Sequence, residues 1–195
     1  MAYHIYHTEA LILGGRPSGE GDRNLICYTR ELGLVMAHAK SLREGRSRLR
    51  YALQTFAHVE IDLVRGKSGW RLISARPLDS LGDIWRHPLK RRILAEHTQL
   101  LERLIQGEEQ NGVLFDDLLQ GLQFLRGINE TIALRSTELL LVVRLLAQLG
   151  YWGDKALYAP LFGEEALSMS TLKYTSEYRP ALLVQVNEAL RASQL

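Results

Sequence analysis

The hydrophobic pattern of this 195-residue chain changes period once, between Arg76 and Pro88. Before that point, short apolar or alternating runs are separated by glycine-bearing turns, which is typical of β-strands. After it, apolar residues recur at helical spacing. The sequence therefore predicts an α+β protein with an N-terminal β domain over residues 1–80 and an all-helical domain over residues 81–195.

Five segments of the first part have the character of strands. They are residues 3–13, 24–29, 34–40, 56–64 and 70–75. The breaker-rich stretch GGRPSGEGD, residues 14–22, is predicted to be a loop, and residues 31–33 to turn a hairpin. Five short strands with no long helix between them predict an antiparallel sheet curled into a five-stranded OB-type barrel.

The second part is predicted to be a compact helical bundle. Its helices are expected over residues 89–105, 113–125, 131–149 and 180–192, with a short helical turn at 170–174. The longest aliphatic run, residues 139–143, is far shorter than the roughly 20 residues that cross a bilayer. The N-terminus also lacks an export signal, so we expect a cytoplasmic protein without a membrane segment.

The sharpest charge pattern is KSLREGRSRLR, residues 40–50, in a chain whose net charge is only +2. Its cations are Lys40, Arg43, Arg46, Arg48 and Arg50. Such charges repel one another, and phosphates relieve that repulsion when they replace mobile counterions. An extended backbone would point Arg46, Arg48 and Arg50 to one side at a spacing of about 6.5 to 7 Å, close to the phosphate repeat of a stretched single strand. A solvated surface loop is the alternative.

Other cations and aromatic residues are candidates for the same surface. The further cations are Arg23, Lys67 and Arg71. The aromatic candidates are Tyr28, Tyr51 and Trp70. Stacking is worth about 1 to 3 kcal/mol per base, but strand aromatics are often buried, so core packing is the alternative for each. Trp70, beside the Lys67 turn, is the best candidate for stacking.

Most of the first 80 residues resemble the N-terminal domain of the bacterial RecO family of recombination mediators. The motifs that carry the resemblance occur in family order. They are GEGDR (19–23), TRELG (29–33), the basic loop that follows Ala39, ALQTF (52–56), and a hydrophobic strand with a basic turn (59–67). Residues 133–152, ALRSTELLLVVRLLAQLGYW, resemble the family's helix that ends in LGY.

The chain departs from the family pattern at three points. Thr55 stands where the family usually has proline, and Ser41 stands where it has glycine. Many members also carry a four-cysteine zinc site in the C-terminal domain, which the single Cys27 cannot supply. We therefore expect no metal site of this kind, and Cys27, in a strand-like run, is expected to be a buried structural thiol.

The resemblance implies a DNA-binding mediator of DNA repair and recombination in the bacterial cytoplasm, associated with the nucleoid. Such a protein binds single- and double-stranded DNA and anneals complementary strands. With RecR it helps to place the RecA recombinase on strands coated by single-strand-binding protein, in a pathway that also includes RecF. It needs no cofactor.

The helical part offers a candidate site for a partner. Arg135 begins the third predicted helix beside Leu139, and a cation at the rim of an apolar groove suits an acidic peptide with a hydrophobic terminal residue. The C-terminal tail of the single-strand-binding protein has that form. The alternative is that Arg135 pairs with Glu138 or Glu130 on the helix surface.

An enzyme is not predicted. The histidines lack a helical HExxH arrangement, and the glycine-rich stretch 14–22 is not followed by Lys-Ser or Lys-Thr, as a nucleotide-binding loop would be. No nucleophile has a base and an orienting partner in the sequence pattern. Two other functions stay open, namely an OB-type RNA-binding module and a protein adaptor whose basic loop docks an acidic partner.

Overall fold

The structure, a computed structural model, describes residues 4–42, 49–80, 84, 86–105, 107–153, 155–163 and 165–193. Internal contacts group the chain into two compact units. The first combines Met1–Gly82 with Gln106–Phe115, and the second combines Asp83–Ile105 with Asp116–Leu195. The predicted domain division at residue 80 stays a prediction, and it did not anticipate that Gln106–Phe115 packs with the strands.

The first unit contains a closed five-stranded barrel. Its strands are β1 (Ile5–Ser18), β2 (Asp22–Thr29), β3 (Gly33–Ala39), β4 (Ala57–Gly66) and β5 (Gly69–Ser80). They follow one another around the barrel in the order β1-β2-β3-β5-β4, and β4 pairs with β1 to close it. All pairs are antiparallel except β3 with β5. The predicted OB-type barrel is confirmed.

Alternate residues of every strand fill the barrel. The inward side chains include Ala10, Ile12, Leu25, Cys27, Val35, Ala37, Val59, Ile61, Leu63 and Trp70. Small residues such as Ala10, Cys27 and Ala37 share this interior with larger ones such as Ile61 and Trp70, so the side chains fill the narrow barrel. Cys27 is fully buried, and burial raises the pKa of its thiol to about 12, so this cysteine is structural.

β1 is longer than the sequence predicted. Residues 14–22 are predicted as a loop, but strand pairing continues to Ser18. A β-bulge between Ile12 and Gly14 makes the continuation possible. Because side chains alternate along a strand, one extra residue moves those beyond it to the other face. Ile12 therefore points into the core, whereas Arg16 lies on the outer face.

Phe115 anchors the segment Gln106–Phe115 within the first unit. Its side chain is completely buried. The ring stacks on Tyr28 with centroids 6.2 Å apart and lies 6.1 Å from the ring of His58. The guanidinium of Arg30 covers the ring at 4.6 Å from its centroid. This packing explains why Tyr28, on the outer side of the barrel wall, is nevertheless buried.

The second unit is helical. Its helices are α2 (Pro88–Leu104), most of α3 (Gly112–Gly127), α4 (Thr131–Gln148), α5 (Met169–Glu177) and α6 (Arg179–Ala192), with a 3-10 helix at Ala156–Leu161. α4 is buried on most of its circumference and packs against α2, α5 and α6. The predicted helices are all present, and the predicted turn at 170–174 is part of α5.

Two buried cations connect helices of this unit. Lys90 is 4% exposed, and its Nζ donates to the carbonyl of Arg126 (2.7 Å) and to Oδ1 of Asn129 (3.1 Å), where the positive charge suits the C-terminus of α3. Arg144 of α4 pairs with Asp117 of α3 and donates to the carbonyl of Leu161. Each buried charge is therefore compensated.

Gly33 is the position in the barrel that tolerates a side chain least. Its φ is +67°, and a Cβ placed there would lie 2.3 Å from the backbone oxygen of Glu109. We expect Gly33→Ala to lower the free energy of unfolding by about 2 kcal/mol or more, since left-handed backbone strain adds to a clash with main chain. Gly14→Ala is the matched control, because a Cβ there meets nothing within 4 Å. Equal urea midpoints for the two variants would contradict this packing.

His97 in α2 makes stability depend on pH. It is 7% exposed, and burial lowers the pKa of its imidazole from 6.5 to about 4. The folded protein therefore keeps His97 neutral while the unfolded chain takes up a proton below pH 6.5. We expect this residue to cost about 3 kcal/mol of unfolding free energy between pH 6.5 and 4. His97→Leu removes that contribution, so urea unfolding of the variant and the wild type should diverge as pH falls; parallel profiles would refute the assignment.

Candidate nucleic-acid interface

Four outward side chains on neighbouring strands form one line across the barrel, which we name the cross-strand row. Its members are Arg16 on β1, Asn24 on β2, His38 on β3 and Arg71 on β5. Each is the register partner of the next. The row spans four of the five strands of the closed barrel, and because neighbouring strands lie about 4.8 Å apart it measures roughly 14 Å along the curved wall.

The row has charged ends and a polar middle. Arg16 and Arg71 are exposed, whereas Asn24 and His38 are half-buried. The bulge in β1 is what brings Arg16 onto this face, since without the extra residue its side chain would point inward. The row therefore has one permanent positive charge at each end, with the hydrogen-bonding side chains of Asn24 and His38 between them.

Asp22 contacts the middle of the row and the backbone of Ser41, two residues after β3. Its Oδ2 lies 3.0 Å from Nε2 of His38, whose Nδ1 lies 3.0 Å from Oδ1 of Asn24. Its Oδ1 accepts the backbone N–H of Ser41 at 2.8 Å. This backbone hydrogen bond is the main cause that lowers the pKa of the Asp22 carboxyl, and the nearby His38 and Lys40 lower it further. Asp22 is therefore ionised at neutral pH and orients the His38 ring.

Ser41 has the backbone conformation of a glycine. Its φ is +53°, in the left-handed region that glycine adopts at least cost. This is the position where the RecO pattern has glycine, so the departure noted in the sequence keeps the same type of turn. The hydrogen bond from its N–H to Asp22 stabilises that turn at the start of the basic stretch.

A cavity of about 530 Å³ adjoins the row. Asn24, His38 and Arg71 line one side, and Lys67 and Ser68 of the β4–β5 turn line another. None of the described residues that line the cavity is acidic. Lys67 and Arg71, which the sequence analysis named as candidates for one surface, both line this cavity.

The other predicted cations are placed differently. Lys40 is exposed directly after β3. Nη2 of Arg23 donates to the carbonyl of Gly15 at 3.3 Å, so this guanidinium packs on β1 and is not part of the row. Arg43, Arg46 and Arg48 lie outside the described residues. Arg50 is exposed, but it belongs to the short helix α1 (Leu49–Ala52), so the prediction of extended backbone is wrong there.

The aromatic candidates differ in how accessible they are for stacking on a base. Trp70, the preferred stacking residue, is 5% exposed, and its indole N–H donates to Glu108 at 2.8 Å. Tyr6 and the guanidinium of Arg65 flank its ring, each 5.0 Å away. Trp70 is therefore a core residue because the parity of β5 turns it inward. Tyr28 is buried too, and Tyr51, next to Arg50 in α1, is 77% exposed.

Three members of the row were missed by sequence reasoning. Arg16 was assigned to a loop, and Asn24 and His38 carry no charge pattern that separates them from ordinary strand residues. The paired glycines Gly14 and Gly15 inside an otherwise strand-like run were the available signal, because such glycines often mark a bulge.

The predicted partner site in the helical unit is less open than expected. Leu139 is 4% exposed, and Nη1 of Arg135 pairs with Oε2 of Glu138 at 3.1 Å, the alternative that the sequence left open. The carbonyl of Arg135 accepts a hydrogen bond from Arg179 at 3.1 Å. Binding of an acidic tail at Arg135 and Leu139 stays a prediction.

Metal ligands are not grouped in the part of the chain that the structure describes. No cluster of three or more His, Cys, Asp or Glu side chains there could hold an ion. Cys27 is enclosed in the barrel, so the four-cysteine zinc site of many RecO proteins does not fit the residues present. The described helices include none with the length and apolar character needed to cross a bilayer.

Comparison with known proteins matches the barrel to a family. Residues 1–81 fit the family model described as "Recombination protein O N terminal". The DNA repair protein RecO of Heliobacterium modesticaldum is 31% identical over 153 residues, which is 78% of this chain and 54% of that protein. RecO of Dehalococcoides mccartyi is 31% identical over 150 residues, 76% of this chain and 57% of that protein. RecO of Desulfitobacterium hafniense is 37% identical over 81 residues, 42% of this chain and 30% of that protein.

The two longer matches exceed the length of the barrel, so the similarity continues into the helices. The chain spans about half the length of these two relatives. The barrel topology, the ordered motifs along its strands and the matched residues agree with one another. Residues 1–81 therefore form an N-terminal domain of the RecO family, and similarity to RecO proteins covers about three quarters of the chain.

Proposed function

We propose that the barrel binds single-stranded DNA across the cross-strand row and that the chain acts as a recombination mediator in DNA repair. The row itself is the observation that carries the proposal. It sets exposed guanidiniums of Arg16 and Arg71 at the two ends of a line of register partners. The names of the relatives, DNA repair proteins, favour DNA over RNA as the nucleic acid.

The spacing of the row suits a strand that wraps around the barrel wall. Its length of roughly 14 Å along that curved wall is about two phosphate repeats of an extended single strand. One phosphate at Arg16 and another at Arg71 would leave an intervening nucleotide opposite Asn24 and His38. Lys40 and Lys67, exposed at strand ends, would add contacts on either side of the row.

Contacts to phosphates are independent of sequence, and this property supports the proposed annealing of complementary strands. Cations that neutralise two strands lower the repulsion between them without reading bases. The same charges would bind duplex DNA through its backbone. Tyr51 and Arg50, adjacent and exposed in α1, offer a base-stacking group beside a cation.

The proposed mediator role includes protein partners. RecR would cooperate with this chain in placing RecA on DNA that is coated by single-strand-binding protein, whose acidic tail would contact the helical unit. RecF would act in the same pathway. The adaptor alternative, in which cations dock an acidic protein, makes no use of the spacing along the row.

Removing both ends of the row tests the binding site. We expect Arg16→Ala combined with Arg71→Ala to weaken binding of oligothymidylate about tenfold at low salt and to slow annealing, because two phosphate contacts are lost. Arg76→Ala combined with Arg103→Ala is the control, since both arginines are exposed outside the row. Fluorescence anisotropy measures the affinity. Equal losses in the two double variants would show that only net charge matters.

Salt dependence tests how many phosphates are engaged. Contacts from Arg16, Arg71, Lys40 and Lys67 predict a slope of about −3 for log affinity against log salt, since each phosphate on a single strand contributes about −0.7. The double variant of the row should reduce the magnitude of that slope by about 1.4. A slope near zero would contradict phosphate binding and favour the adaptor function. Tighter binding of oligouridylate than oligothymidylate would favour the RNA-binding module.

A further inference from the structure

The cavity beside the cross-strand row is large enough to hold more than a phosphate group. Its volume of about 530 Å³ lies within the range of about 300 to 1,000 Å³ that is typical of small-molecule sites. Three members of the row, Asn24, His38 and Arg71, also line this cavity. A strand that follows the row would therefore pass over its mouth.

The charge of the lining selects an anionic ligand. Lys67 and Arg71 contribute two exposed cations, and no acidic side chain is among the described residues that line the cavity. A phosphate would be held by these two groups through charge-assisted hydrogen bonds.

The remaining lining suits a nucleobase. Oδ1 of Asn24 faces His38, which leaves the two N–H groups of the Asn24 amide for acceptors on a base edge. Val64 and Trp70, both almost fully buried, contribute apolar atoms to the lining, and Ser68 supplies a hydroxyl on the turn. Apolar lining with a few polar groups that fix orientation is typical of sites that bind small organic rings.

We propose that this cavity takes one unstacked nucleotide of the bound strand, with its phosphate at Lys67 and Arg71 and its base inside against Asn24. The proposal rests on the proposed function, because it needs a strand along the row. It adds to that function the group that occupies the cavity, namely one nucleotide of the bound strand. A base held in this way is withdrawn from pairing, so single strands would be preferred to duplexes at this point.

The test is a scan with single abasic residues. The probe is an oligothymidylate of about 5 residues, within the site size of one OB-type barrel and too short to shift along the row so that an abasic position avoids the cavity. Its affinity is compared with that of the same strand lacking one base at each position in turn. We expect about a tenfold loss of affinity at one position, since enclosure of a base is worth about 1 to 3 kcal/mol and 1.4 kcal/mol is tenfold.

Two variants of residues that line the cavity test whether the loss of affinity arises there. We expect Asn24→Ala and the space-filling Ser68→Trp to bind the intact strand about as weakly as the wild type binds the strand that lacks the critical base. Removing that base should then cause no further loss of affinity in either variant. Asn187→Ala, an exposed asparagine of α6, is the matched control and should keep the abasic penalty. Thermal melting of each variant verifies the fold.

Three results would overturn the proposal. One is equal affinity of the wild type for the intact strand and every abasic strand, which leaves the proposed binding along the row intact. Another is an abasic penalty that persists in Asn24→Ala and Ser68→Trp, which locates the base elsewhere, for example at Tyr51. A wild type that binds no intact strand would remove the proposed function together with this inference.

Discussion

The register of the closed barrel decides which side chains of the first unit reach solvent. Each strand pairs on both sides, so a shift of one residue would exchange core and surface along its whole length. The single bulge in β1 uses this rule locally. It keeps Ile12 in the core and turns Arg16 to the outer face. There Arg16 pairs with Asn24 and joins the cross-strand row. The candidate binding surface is thus a consequence of pairing, not of loop geometry.

Much of the fold was predictable because its signals are local. Alternation of apolar and polar residues identified the strands, and helical spacing identified the helices. Gln106–Phe115 escaped prediction because its place depends on the pocket formed by Tyr28, His58 and Arg30, which are distant in sequence. No local pattern encodes such a contact.

The candidate site was predictable only in part. Lys67 and Arg71 were found from charge, and they do share one cavity. Trp70, for which the sequence left core packing open as the alternative to stacking, lies in the core, because its parity in β5, set by pairing with β3 and β4, turns it inward. Asn24 and His38 could not be found from sequence, because only the register shows that they stand between two arginines. Cross-strand geometry is absent from a linear pattern.

Asp22 gives the interface a property that a purely cationic surface would lack. The fold fixes this carboxylate beside His38 and ties it to the main chain at Ser41. In the proposed complex, the phosphates of a strand along the row would meet a fixed negative charge beside His38 and would be repelled there. That repulsion would leave the guanidiniums at the two ends, Arg16 and Arg71, as the points of attachment, with the strand held less closely between them.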